Sequence, residues 1–171
     1  MEGLQTIVLS VVLALGIRQF VAEARFIPSG SMEPTLQIDD RLVIEKISYR
    51  FNPPKRGDII VFEAPQAALD AARSTHKDAY IKRVVGLPGE TVEVKNGQVF
   101  IEGKALSEPY INAPPDYLWG PEVVPQGQYL VFGDNRNKSS DGHVWGFLPQ
   151  EQIIGRAVVR FWPPGRIGGL E

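Results

Sequence analysis

From Leu4 to Ile17 the chain carries no charge, and Phe20, Val21 and Ala22 extend the apolar run past Arg18. A run of this kind, taken as residues 1–25, predicts one helix that can cross a bilayer, because spanning takes about 17–25 residues. A cleaved leader has the same general shape. Here only Glu2 precedes the apolar run, and Val21-Ala22-Glu23-Ala24 offers no clean small-x-small cleavage site, so a retained anchor is expected.

Beyond the anchor the apolar runs shorten to strand length. Strands are predicted at 41–46, 59–62, 80–85, 91–94, 98–101, 128–132 and 153–161, separated by turn-forming residues at 55–58 and 87–90. Asn96-Gly97 between two alternating runs is the signal for a type I′ hairpin. The Ala-rich stretch 64–79 is expected to be a mobile loop or a short exposed helix. The Pro-rich stretch 113–127 is expected to be a surface crossover without regular structure, and 163–171 a frayed tail. The predicted architecture is mainly β: one mostly antiparallel, coiled or barrel-like domain over 26–162, following one N-terminal transmembrane helix.

Composition narrows the chemistry. A chain of 171 residues that is 43% hydrophobic suffices for one core. A net charge of −2 carries no polyelectrolyte signature, so nucleic acid is not an expected partner. There is no cysteine, which excludes disulfides, thiolate catalysis and cysteine–metal sites. The two histidines, His76 and His143, are too few and too far apart for a metal cluster, and no cofactor is expected. Abundant glycine and proline, 17 and 14 residues, suit a domain of short strands and tight turns.

Three constellations carry candidate chemistry. Ser31 sits in the turn-like run Pro28-Ser29-Gly30-Ser31-Met32-Glu33-Pro34-Thr35-Leu36, directly after the apolar segment. Serine in such a run is ordinarily turn chemistry. Lys82 lies in Tyr80-Ile81-Lys82-Arg83-Val84-Val85-Gly86, and on a period of two it shares a face with Tyr80 and Val84. An ammonium placed among apolar neighbours loses proton affinity, and a neutral lysine near a serine hydroxyl can act as its base. Arg83, on the opposite face, reads first as a structural cation. The third constellation, Gly133-Asp134-Asn135-Arg136 through Trp145-Gly146, is dense in short polar side chains immediately after a strand. A histidine-based triad remains open there, with His143 as base and Asp134 or Asp141 as its orienter.

Four of these runs, in the same order, resemble the type I signal peptidases, the membrane-bound serine/lysine leader peptidases. They are Pro28 to Leu36, Arg56-Gly57-Asp58-Ile59-Ile60-Val61-Phe62, Lys82-Arg83-Val84-Val85-Gly86-Leu87-Pro88-Gly89-Glu90, and Gly133 to Gly146. The resemblance implies that Ser31 is the nucleophile and Lys82 the general base, with Ser29 and the Ser31 N–H as oxyanion hole. It implies that Ser139 hydrogen-bonds and orients the lysine, and that Asp134, Arg83 and Asp141 support the site. It further implies cleavage of preproteins after small residues, with signal peptides and the lipid bilayer as partners and the substrate bound as an added strand. Ile27, Met32 and Ile81 are the expected pocket residues. The catalytic domain is then expected on the non-cytoplasmic side of a bacterial-type inner membrane or a thylakoid-like membrane, although Arg18 and Arg25 bias the helix the other way. Two departures stand out: His143 replaces an arginine common in the family, and the compact region after Ile101 implies that the second β domain of some relatives is reduced or absent. A self-cleaving repressor-type peptidase, or a non-catalytic tethered β domain that binds exported chains, are the alternatives. Nothing in the sequence sets an oligomeric state.

Overall fold

A computed structural model describes residues 2–75 and 78–170; His76 lies outside them. Helix α1, Glu2–Phe20, has no distinct polar face and is exposed along most of its length, meeting the rest of the chain at its last turn. By length and composition, Gly3–Phe20 can cross a membrane. The anchor ends sooner than expected, because Ala22–Phe26 forms strand β1 instead of continuing the helix. Glu23 and Arg25 alternate with Ala22 and Ala24, a strand period that the preceding apolar run conceals.

Ten further strands continue the chain in order: β2 Arg41–Glu45, β3 Ile59–Glu63, β4 Ala79–Gly86, β5 Thr91–Lys95, β6 Gln98–Ile101, β7 Lys104–Ala105, β8 Trp119–Val123, β9 Gln128–Phe132, β10 Leu148–Pro149 and β11 Ile153–Trp162. A last short strand, β12, is Gly168–Gly169. Helices α2, Gln66–Ala72, and α3, Gly142–Trp145, complete the set. Every strand pair is antiparallel. The larger sheet runs β1-β2-β11-β3-β4-β9-β10, with β12 on β11, and the smaller runs β7-β6-β5-β8. The mainly antiparallel β architecture read from the sequence is therefore the one observed, and the second sheet is a small four-stranded one.

β3 shows how the core is built. Its run Ile59-Ile60-Val61-Phe62 is apolar without alternation because both faces are covered. Ile60 and Phe62 pack with Val84, Val131, Trp145 and Leu148, whereas Ile59 and Val61 pack with Met32, Leu36, Leu42 and Ile44. A third cluster of Val85, Val92, Val94, Val99, Val124, Leu130 and Phe132 joins the two sheets.

One expectation is refined and two are corrected here. Stretch 64–79 contains the short helix α2, exposed over most of its length as one reading of the sequence allowed, but Ala68 and Leu69 are buried in the cluster around Phe62. The crossover 113–127 contains β8, paired with β5. Gly120 makes that pairing possible, since its φ is +75° and a Cβ there would strike the Val92 carbonyl. The tail 163–171 is not frayed over its described part. β12 pairs with Val159 and Arg160, and Arg166 donates to Asp40 at 2.9 Å.

Candidate active site

Ser31 lies in a one-turn 3-10 helix, Gly30–Met32, entered from the extended Ser29. Core packing on one side and Asn135 on the other hold that turn in place. Met32 and Leu36 are buried in the core below it, and Asn135 grips it from above. The Asn135 N–H donates to the Ser31 carbonyl at 3.1 Å, and its side-chain amide donates to the Gly30 carbonyl at 3.0 Å. Gly133 is a close-approach position: a Cβ there would collide with the Ser31 carbonyl and the Ser139 hydroxyl.

Lys82 comes from β4, where it stands opposite Ile60. Its side chain reaches the serine turn across 51 positions of sequence, with Nζ 2.9 Å from Ser31 Oγ and 2.8 Å from the Ile81 carbonyl. Lys82 is 5% exposed. Burial lowers its pKa to about 8, and the negative charges of Asp141 and Asp134 oppose that shift. At neutral pH a useful fraction of the amine is therefore unprotonated. Ser31 and Lys82 thus meet at hydrogen-bond distance, and the face shared by Lys82, Tyr80 and Val84 is as the strand period implies.

Around this pair the structure places the other expected residues. Arg83 and Asp134 form a buried bidentate ion pair, with Nε to Oδ1 at 2.8 Å and Nη2 to Oδ2 at 2.7 Å. Arg83 also donates to the Gly57 carbonyl, while Thr35 donates to Asp134 Oδ2 at 2.6 Å. The ion pair thereby ties β4 to both the serine segment and the loop after β9. Asp141 accepts from the Gly133 N–H at 2.8 Å and lies 2.7 Å from His143 Nδ1. His143 is stacked on Tyr117 and makes no hydrogen bond with Ser31, so the histidine triad left open by the sequence is not assembled. Ser29 is exposed and lines the cleft beside Ser31.

Two expectations fail in detail. Ser139 is buried beside Gly133, but its Oγ has no hydrogen-bond partner among the described residues, so the expected bond to Lys82 is not made. Ile27 and Met32 are core side chains, 2% and 0% exposed, and do not line the cleft, whereas Ile81 does. The cleft holds about 1060 Å³ and runs from Ala24 and Phe26 past Ser29 and Ser31 to Ala79–Lys82, Asn135 and Ser140. Two strand edges border it. β1 ends the larger sheet, and β4 meets β9 only from Arg83 onward, so one side of its residues 79–82 has no strand partner among the described residues.

Several supporting residues escape sequence reading. Glu108 makes a buried bidentate pair with Arg136, at 2.7 and 2.6 Å, and accepts from the Tyr110 hydroxyl. The Tyr110 ring lies 4.0 Å from the Arg83 guanidinium. These residues strap the 106–118 segment over the ion pair. Asn135 and Thr35 stood inside motifs already noted, and only the fold reveals what they grip.

A profile of the family described as signal peptidase, peptidase S26, matches residues 1–162. The chain is 64% identical over 170 residues to signal peptidase I of Leptolyngbya laminosa, covering 99% of this chain and 83% of that protein. It is 42% identical over 160 residues to thylakoidal processing peptidase 1 of Arabidopsis thaliana, covering 92% of this chain and 47% of that one. A crystal structure of a signal peptidase I from Enterococcus faecalis V583 superposes with a TM-score of 0.50 at 32% identity. That match covers 61% of this chain and 97% of the other.

Proposed function

Because the chain belongs to the signal peptidase family, peptidase S26, we propose that Ser31 and Lys82 are the dyad with which it removes signal peptides from preproteins. The observation that carries the assignment is the 2.9 Å separation of Lys82 Nζ and Ser31 Oγ in a site that excludes most water from the amine.

Neutral Lys82 takes the Ser31 hydroxyl proton as Oγ bonds to the carbonyl carbon of the residue before the cut. The carbonyl electrons move onto oxygen, and the Ser29 hydroxyl and the Ser31 N–H stabilise that oxyanion. Collapse breaks the C–N bond, and protonated Lys82 passes its proton to the leaving amine. Water, deprotonated by the now neutral Lys82, then hydrolyses the acyl-enzyme. Asp134, Arg83 and Asp141 act by holding the lysine strand and the serine turn in register. Ser139 fills the space behind them.

The free edges of β1 and of residues 79–82 support binding of the substrate as an extended strand. Ala79 and Ile81 line the cleft beside Ser31 and Lys82, and their small and branched apolar side chains favour small apolar residues next to the cut. A series of preproteins differing only in the residue before the cut tests this reading. Alanine, serine and glycine are expected to be processed efficiently, and leucine or phenylalanine slower by about 10²-fold, in line with steric exclusion from a small pocket. Efficient cleavage after phenylalanine would contradict it.

α1 then serves as a membrane anchor and residues 26–162 as the peptidase domain, on the non-cytoplasmic side of an inner or thylakoid-like membrane. Leaders are removed after translocation, which favours that side over the one suggested by Arg18 and Arg25. Protease added outside intact spheroplasts is expected to degrade the domain; protection would overturn the location.

A further inference from the structure

The last turn of α1 is fastened to the segment that follows β2. Lys46 Nζ donates to the Arg18 carbonyl at 3.1 Å and to Glu23 Oε2 at 2.6 Å. Its backbone N–H donates to the Val21 carbonyl at 2.8 Å, and the Arg50 guanidinium lies over the Phe20 ring at 5.6 Å. The final carbonyls of a helix have no partner within the helix and carry its negative end, so a cation there satisfies both needs.

Glu23 completes the fastening by also accepting from Arg25 at 2.5 Å. Burial works against its charge, yet the hydrogen bonds from Lys46 and Arg25 keep its carboxyl below the usual glutamate range. The Lys46 and Glu23 side chains are only 14% and 12% exposed, which shields the pair from solvent screening.

The connection onward is equally constrained. Five residue pairs zip β1 to β2, and the Ile27 N–H and carbonyl are bonded to the backbone of Asp40 and Asp39. No unpaired hinge separates Phe20 from the serine turn until Pro28.

We infer that Lys46, with Glu23 and Arg50, fixes the height of Ser31 above the bilayer and so selects substrates by the distance between their apolar segment and their cleavage site. The inference rests on the function proposed above. A signal peptide lies with its apolar segment in the same bilayer as α1, and its polar connector must bring the scissile bond to Ser31. An extended connector advances about 3.3 Å per residue, so a rigid mount accepts a narrow range of connector lengths. A loosened mount samples several heights and discriminates less, while the chemistry is unchanged. Lys46 is a positioning residue that acts through the mount.

The full chain, reconstituted in phosphatidylcholine vesicles with a minor phosphatidylglycerol fraction, is given one preprotein whose connector is lengthened or shortened one residue at a time. A short soluble peptide bearing the same cleavage site is run alongside. Wild type is expected to show a sharp optimum of connector length. Lys46→Met is expected to reduce the preference for that optimum about fivefold, a modest effect for loss of charge-assisted hydrogen bonds. Its rate on the soluble peptide is expected to be unchanged, and Lys46→Arg is expected to restore the sharp optimum. Arg50→Ala should broaden the optimum in the same direction. A Lys46→Met enzyme with an unaltered length optimum overturns the inference. So does one whose rates on every preprotein and on the soluble peptide fall in equal proportion, because that marks a merely structural role. A wild type that cuts the soluble peptide but ignores connector length overturns the mount and leaves the peptidase assignment standing. A wild type that cuts neither substrate overturns the proposed function, and this inference with it.

Discussion

Alanine at Lys82 is expected to slow preprotein cleavage by about 10⁴-fold or more, and alanine at Ser31 by as much, with the double substitution little worse than either. Nucleophile and base work as a unit, so removing one strands the other. Ser31 Oγ has Nζ at 2.9 Å, and His143 is committed to Asp141 and Tyr117 instead. Ser29→Ala removes one oxyanion donor and is expected to cost about 10²–10³-fold. Single-turnover cleavage in detergent, with thermal unfolding to verify that each variant is folded, measures all four. A Lys82→Ala enzyme working near the wild-type rate would end the dyad assignment.

Asp134→Ala is expected to have the largest effect on stability, about 3–5 kcal/mol, because it leaves a cation buried without its carboxylate. Arg83 is 2% exposed and Asp134 0%, and both oxygens of Asp134 are engaged. Tyr110, stacked on the guanidinium, cannot supply the missing charge. Denaturant unfolding of the wild type and the variant reads the difference. A change below about 1 kcal/mol, the range of an exposed pair, would show that water reaches Arg83 in the folded protein.

How much of this was legible in the chain depends on how local each signal is. The strands at 59–62, 91–94 and 98–101 follow from short-range patterning. The Asn96-Gly97 turn does too, with φ of +52° and +74° at its two residues. The alternation that puts Lys82 with Tyr80 and Val84 is equally local. β1 and β8 were hidden because an apolar run and a proline-rich run mask their period, and pairing with β2 and β5 supplies what local propensity lacks.

Within the site, motif order located Ser31, Lys82, Asp134 and Asp141 but not which way neighbouring side chains point. Ile27 and Met32 adjoin the cleft in sequence and face the core in space. Glu108 and Arg136 are 28 residues apart, and no pattern along the chain announces their pairing. Ser139 reached the right neighbourhood, beside Gly133, without the expected bond, and motif order alone does not say where a hydroxyl points.

The most direct test of the Ser31–Lys82 dyad is the pH dependence of acylation by a reactive acylating probe, followed by mass spectrometry of the intact chain and its fragments. A protonated amine cannot accept the serine proton, so acylation is suppressed in acid and rises as pH passes the Lys82 pKa. The expected result is one label per chain, on the fragment containing Ser31, with a midpoint near the value of about 8 set by burial. The label should vanish in Lys82→Met. In Asp141→Asn the midpoint should move lower, because the charge that favours protonated Lys82 has been removed. A label on another residue would contradict the dyad, as would a midpoint near 6.5, the ordinary histidine range, that persists in Lys82→Met.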